Sequence, residues 1–257
     1  PEASETPGAY EKPEVIRIGV VGENNEDWLD VINRLEEEEG LKVELITFTD
    51  YNQPNEALAN GDLDLNAFQH KKFLNTYVEE SGNELVGIAD TIRAPLGIYS
   101  NKIASLDELK KGDSIAIAND ASNGSRALLV LRNAGLLEID GKKAGDIVVP
   151  SDITKNELEI EIIQLDAAQT SRSLDDLTAA FVNADLAISA GISPIEDAIY
   201  TEELGPDTDI YVNIIAARAK DKDNPYYKKI VDYYQSDQTA EILLETFKGA
   251  KVPAWKE

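Results

Sequence analysis

Apolar positions along this chain switch repeatedly between two periods. Residues 15–21 (VIRIGVV) alternate as a strand does, and Gly22 opens a turn. Trp28, Val31, Ile32 and Leu35 then fall at i, i+3, i+4 and i+7, one face of a helix capped by Asn24 or Asn25. The acidic run 36–39 before Gly40 reads as a solvated helix end. Residues 43–48 predict a second strand, and Pro54 sits in the first turn of a short helix ending near Gly61. Residues 63–67 predict a third strand and 71–80 another helix. Strand and helix in alternation are the signature of a parallel sheet.

The segment 85–101 breaks this rhythm, being long, extended and interrupted by Pro95 and Gly97. Alternation then resumes. Ser105 with Glu108 forms a capping box, 160–165 predicts a strand, Ser173 caps a helix through Phe181, and 185–189 predicts a further strand. Ser193, Pro194 and Glu196 combine a capping box with proline at the first helical position. Residues 210–217 (IYVNIIAA) form a second long extended run. Two helices follow, starting at Asn224-Pro225 and at Ser236 or Asp237. Two α/β sets joined by two extended crossings make a hinged, two-lobe protein, with ligands held between the lobes where strand ends face each other.

The stretch 114–135 is central. Residues 114–118 (SIAIA) predict a buried strand, 119–125 a polar turn rich in capping residues, and 126–133 a helix that Gly135 closes. A strand, a polar turn and a helix start aim free backbone N–H groups and the positive helix end at a cleft, where an anion fits. Arg126, one or two residues into that helix, adds a fork suited to a carboxylate, although its spacing fits a solvated helix residue equally well.

Composition narrows the classes. The chain has 257 residues, 49 acidic against 24 basic, and a formal charge of −25, which repels phosphate backbones and argues against nucleic-acid partners. No stretch approaches the roughly 20 apolar residues of a membrane helix. Cysteine is absent, so disulfides and thiolate chemistry are excluded. One histidine leaves little for a transition-metal site or a Ser-His-Asp triad, and no Walker loop, GxGxxG or GxSxG occurs. Asp62, Asp64 and Asn66 imitate calcium ligands, but Ala67 and Phe73 stand where the loop needs glycine and glutamate. No catalytic constellation and no cofactor site emerges, and the chain is read as a binding protein and not an enzyme. Residues 1–13 (PEASETPGAYEKP) read as a flexible tether, and a chain starting at Pro1 reads as a processed or trimmed product.

Phe68, His70 and Phe73 follow a predicted strand, and Tyr51 follows another at the same sheet edge. Singly, each aromatic fits an ordinary core and His70 a surface. Four at two strand ends point to a pocket for an apolar or thioether side chain.

The chain resembles the methionine-binding lipoproteins of the NlpA type, substrate-binding components of bacterial ABC importers. The resemblance runs from about Ile16 to Trp255 and rests on long ordered blocks. These are DYNQPNEALANGDLDLNAFQHKKF (50–73), IADTIRAPLGIYSNKIASLDEL (88–109), AIANDASNGSRALLVL (116–131), QTSRSLDDL (169–177), YVNIIAAR (211–218) and YYQSDQ (233–238). It implies an α/β, two-lobe, periplasmic-binding-protein-like fold of type II style with two crossing strands as hinge. Lobe 1 is then 14–95 with 212–257, and lobe 2 is 96–211.

The resemblance implies that Tyr51, Phe68, His70 and Phe73 wall the ligand side chain, that Arg126 holds its carboxylate, and that Asn213 helps bind its amino-acid backbone. An Asn-rich loop is expected after the 185–188 strand; the chain instead reads Ser189-Ala190-Gly191-Ile192-Ser193, which puts Ser189 in its place and leaves ligand identity open among L- or D-methionine, a dipeptide or another small molecule. A membrane permease is the implied partner. A lipidated cysteine just before this chain would anchor it outside the cytoplasmic membrane. The alternative is a sensory or adhesive surface lipoprotein that keeps the fold with altered specificity.

Overall fold

The computed structural model describes residues 10–256. The first nine residues of the expected tether lie outside them, while 10–13 carry no regular structure and Lys12 donates to the Glu39 carbonyl at 3.2 Å.

The chain runs β1 (Ile16–Val21), α1 (Glu26–Glu39), β2 (Val43–Phe48), α2 (Pro54–Asn60), β3 (Leu65–Asn66), α3 (Lys71–Ser81) and β4 (Leu85–Asp90). The first crossing holds β5 (Ile92–Arg93) and leads to β6 (Gly97–Tyr99), β7 (Ser114–Ala118), α4 (Ala121–Asn133) and the β8 (Glu138–Ile139) and β9 (Ile153–Lys155) ribbon. Then come β10 (Glu161–Leu165), α5 (Ala167–Thr170), β11 (Ala179–Val182), α6 (Ala184–Ser189) and β12 (Ala198–Thr201). After a 3-10 turn at Pro206–Tyr211 the chain returns through β13 (Ile214–Arg218), α7 (Pro225–Tyr234), α8 (Asp237–Phe247) and β14 (Val252–Pro253).

Two five-stranded sheets result, ordered β2-β1-β3-β13-β4 and β10-β7-β11-β6-β12. In each, four strands run one way and a single strand runs against them: β13 against its neighbours β3 and β4, and β6 against β11 and β12. The returning strand β13 thus completes the first sheet from the far end of the chain. Each sheet has its own apolar layer. Ile16, Ile18 and Val20 pack under Trp28, Val31, Leu35 and Ile230, and Ile115, Ile117 and Phe181 pack under Leu128 and Leu131. A third cluster lies between the sheets and joins Val21 and Phe68 to Ala118, Val182, Leu186 and Ala187. The two halves are therefore closed on each other.

The crossings bind each other. Thr91 N–H donates to the Asn213 carbonyl at 2.7 Å, and Asn213 N–H donates to Ile92 at 2.9 Å. Val212 accepts from Lys71 N–H and Gln69 accepts from Ile214 N–H, each at 3.0 Å, so the end of β3, both crossings and the start of α3 converge on Asn213.

Several expectations need correction. The central helix starts at Ala121, not 126, because Asp120 caps it by accepting from Asn123 N–H. Residues 173–181 form no helix; a 3-10 turn at Ser171–Asp175 precedes β11, whose four residues are all buried in mid-sheet. A short apolar run carries no decisive period, and tertiary burial decides it. The expected strand at 185–189 is the helix α6. The Ser193 box closes only a turn, with Ser193 Oγ accepting from Glu196 N–H at 3.1 Å. The run 210–217 is extended only from Ile214 within its span as a strand.

Candidate functional site

Between the sheets lies a cavity, lined from the first sheet's side by Tyr51, Phe68, Gln69, His70, Phe73 and Asn213. Ala94, Pro95 and Leu96 of the first crossing line it too, as do Asn123, Arg126, Asn183, Ala184 and Asp185 from the second sheet's helix starts. Six of the seven residues singled out from sequence are thereby brought together. Ser189 is not among the lining. It is exposed, at the far end of α6, and its Oγ lies 2.6 Å from where a Cβ on Gly22 would stand. It marks a contact between the halves and not the pocket.

Tyr51, Phe68 and Phe73 form a triangle with ring centroids 5.8, 5.9 and 5.8 Å apart, tilted or edge-on to one another. That spacing is the favoured one for aromatic pairs, and it gives a fixed apolar wall. Strand ends create it: β2 leads to Tyr51 and β3 to Phe68, while Phe73 sits in the first turn of α3.

His70 is the N-cap of α3. Its Nδ1 accepts from Phe73 N–H at 3.0 Å, which leaves the proton on Nε2, and Nε2 donates to Asn123 Oδ1 at 3.2 Å. Burial, then the Arg126 guanidinium, hold its pKa down at about 3, so the ring is neutral. Asn123 Oδ1 also accepts from Asn183 at 2.9 Å, and Asn123 Nδ2 donates to the Asp120 carboxylate. A polar chain thus spans the two halves across the floor of the cavity.

Arg126 lies in the second turn of α4 and is 4% exposed. Its Nε donates to both oxygens of Glu202 at 3.1 Å, and its Nη2 donates to Glu202 Oε2 and to the Ala94 carbonyl. The guanidinium stacks over the Tyr211 ring at 4.5 Å. These contacts fix the plane of the fork, and among the described residues none accepts from Nη1. The helix N-terminus itself is already occupied by the Asp120 carboxylate, so the anion argument rests on the guanidinium and not on free N–H groups.

Sequence reasoning missed Asn123, Asn183, Asp185 and Glu202. Reading 185–189 as a strand displaced the loop by several residues. With β11 ending at Val182, Asn183 stands directly after the strand and in the cavity wall. Among the described residues no group of three or more histidine, cysteine, aspartate or glutamate side chains could hold a metal ion, and no helix is long and apolar enough to cross a membrane.

The family model for NlpA lipoproteins matches residues 16–255. The chain belongs to the NlpA lipoprotein family. A relative from Salmonella typhi named D-methionine-binding lipoprotein MetQ is 40% identical over 248 residues, covering 95% of this chain and 89% of that protein. A solved nutrient-binding protein of Burkholderia cenocepacia bound to methionine superposes with a TM-score of 0.89 at 42% identity, covering 93% of this chain and 99% of that one. The substrate-binding protein of a methionine transporter from Streptococcus pneumoniae gives 0.88 at 35% identity, covering 94% and 96%. The fold of this NlpA-family chain is that of the periplasmic substrate-binding proteins.

Proposed function

We propose that the protein is the extracytoplasmic solute-binding component of an ABC importer, taking methionine or a closely related amino acid or short peptide between its two lobes. The observation that carries this reading is the cavity itself. An aromatic triangle lies in the same cavity as an immobilised guanidinium, between the two halves. Membership of a family whose relatives bear methionine-binding names supports it.

In this reading lobe 1 is 14–95 with 212–257 and lobe 2 is 96–211, hinged where the crossings pair at Asn213. Tyr51, Phe68, His70 and Phe73 wall the thioether side chain, Arg126 Nη1 takes the carboxylate, and Asn213 and Asn183 serve the backbone polar atoms. The ligand links both lobes and shifts an open–closed equilibrium toward closed. The closed form docks on a membrane permease, and a lipid on a preceding cysteine tethers the protein to the membrane. The role is binding, with no chemical step. Asn183 in the cavity wall supports this reading over a sensory or adhesive one.

The test is calorimetric titration of an Arg126→Ala, Glu202→Gln variant, the second change preventing a buried unpaired carboxylate. We expect methionine affinity to fall by about 100-fold or more, as for loss of a charge-assisted pair. Affinity equal to that of the unaltered protein would contradict the carboxylate assignment.

A further inference from the structure

Of the side chains that line the cavity, Arg126 is the fixed cation and Asp185 the carboxylate; His70 is neutral. The structure gives Asp185 an unusual position. It is the second residue of α6, so it projects from the second sheet's side, and its Oδ1 lies 2.5 Å from Lys251 Nζ, which comes from the segment after α8. The Lys251 side chain is only 6% exposed and that of Asp185 19%. Lys251 Nζ also stands 4.2 Å over the Phe247 ring and reaches the Asn24 carbonyl at 3.5 Å.

Behind the cavity is a second, small polar one, and Asp185 and Asn213 line both. In its wall stands Asp27, 4% exposed, accepting from the Tyr234 hydroxyl at 2.7 Å. Burial pushes the Asp27 carboxyl up, against the pull of Lys251. Lys251 is thus the ion-pair partner of Asp185, with Asp27 nearby and favoured by burial in its neutral form. Lys251 holds Oδ1 of Asp185, and among the described residues none donates a hydrogen bond to Oδ2.

We infer that Asp185 Oδ2 is the acceptor for the α-ammonium of the ligand, and so the residue that selects ligands with a free amine. The inference rests on the amino-acid reading above and deepens it. Arg126 and Asp185 then match the two charges of a zwitterion, and the aromatic triangle takes the side chain. The ligand's amine gives Asp185 Oδ2 a charge-assisted partner, so closure of the halves is favoured by a charged ligand over one whose amine is replaced or blocked.

The experiment is calorimetric titration of the full chain with L-methionine, its α-hydroxy analogue and N-acetylmethionine, using protein stripped of bound ligand. The unaltered protein should bind methionine about 10- to 100-fold more tightly than the hydroxy analogue, the range of one charge-assisted hydrogen bond. Asp185→Asn should lose a similar factor for methionine while its affinity for the hydroxy analogue holds or rises. A merely structural role would weaken both ligands alike, and that result, or unchanged methionine affinity in Asp185→Asn, overturns the inference. If Asp185→Asn does not fold, the Asp185→Asn, Lys251→Gln double variant removes both charges together and the same ratio is read there. Methionine binding without discrimination in the unaltered protein overturns this inference and leaves the transport reading standing. Absence of binding by every methionine compound overturns both.

Discussion

His70 shows how much one side chain can be asked to do. It caps α3 through Nδ1, bridges the halves through Nε2 to Asn123, and lines the cavity, all in the neutral form. It is also the single histidine of the chain, so its ring resonances are unambiguous. Its pKa near 3 lies below the usual value of about 6.5, so the unfolded chain binds the extra proton between those limits. Stability then falls as pH drops through that window, by at most about 1.4 kcal/mol per pH unit from this group. In a proton NMR titration of the folded protein the ring signals should stay fixed from about pH 8 to pH 5. A midpoint near the unperturbed value would refute the buried neutral ring. The triangle can be probed in the same way: Phe73→Ala should weaken methionine binding by about tenfold, the scale of one lost aromatic contact, with calorimetry as the measure. The aromatic residues were legible in sequence because they cluster at two strand ends. The partners of Arg126 were not, since Glu202 lies 76 positions away and only the fold brings the pair together.

At the scale of elements, α4 and α6 position the polar half of the site, and both depend on close approach. A Cβ on Gly124 would stand 2.7 Å from the Ala118 carbonyl oxygen, so this glycine lets α4 settle on the end of β7. In an unconstrained helix, alanine would be favoured over glycine by about 1 kcal/mol. Here overpacking, which costs about 1–3 kcal/mol, outweighs that preference. Gly124→Ala should lower the unfolding midpoint and weaken ligand binding, because Asn123 and Arg126 move with the helix. An unchanged or raised midpoint would show that the contact relaxes freely. Gly22, with φ of +81°, faces Ser189 across the two halves, and a side chain there is strained as well as obstructed. The same two helices mark where pattern reading failed. Asp120 caps α4 and competes with Ser125 and Asn123 as a possible start, so composition placed the cap too late. The AAFV and ADLAIS segments are both short and apolar, and only their burial, one in mid-sheet and one against the other half, separates strand from helix.

For the molecule as a whole, the alternation of periods and the two long interruptions carried the architecture. Each interruption is a crossing between sheets, and a chain that alternates, crosses, alternates and crosses back has few ways to fold. What no pattern disclosed was the closed state, which depends on contacts made across the junction: the apolar cluster around Phe68 and Leu186, the His70–Asn123 bond and the Lys251–Asp185 pair. These contacts hold the halves together, and a ligand in the cavity adds its own bonds to both sides. Thermal unfolding tests that claim most directly, using protein stripped by denaturation and refolding and then scanned with methionine. At about 1,000 times its dissociation constant, a ligand bound only by the folded protein adds roughly 4 kcal/mol, which for a chain of this size raises the midpoint by on the order of 10 °C. The account predicts that shift with methionine or a close relative. An unmoved midpoint with every methionine compound and related amino acid would contradict it.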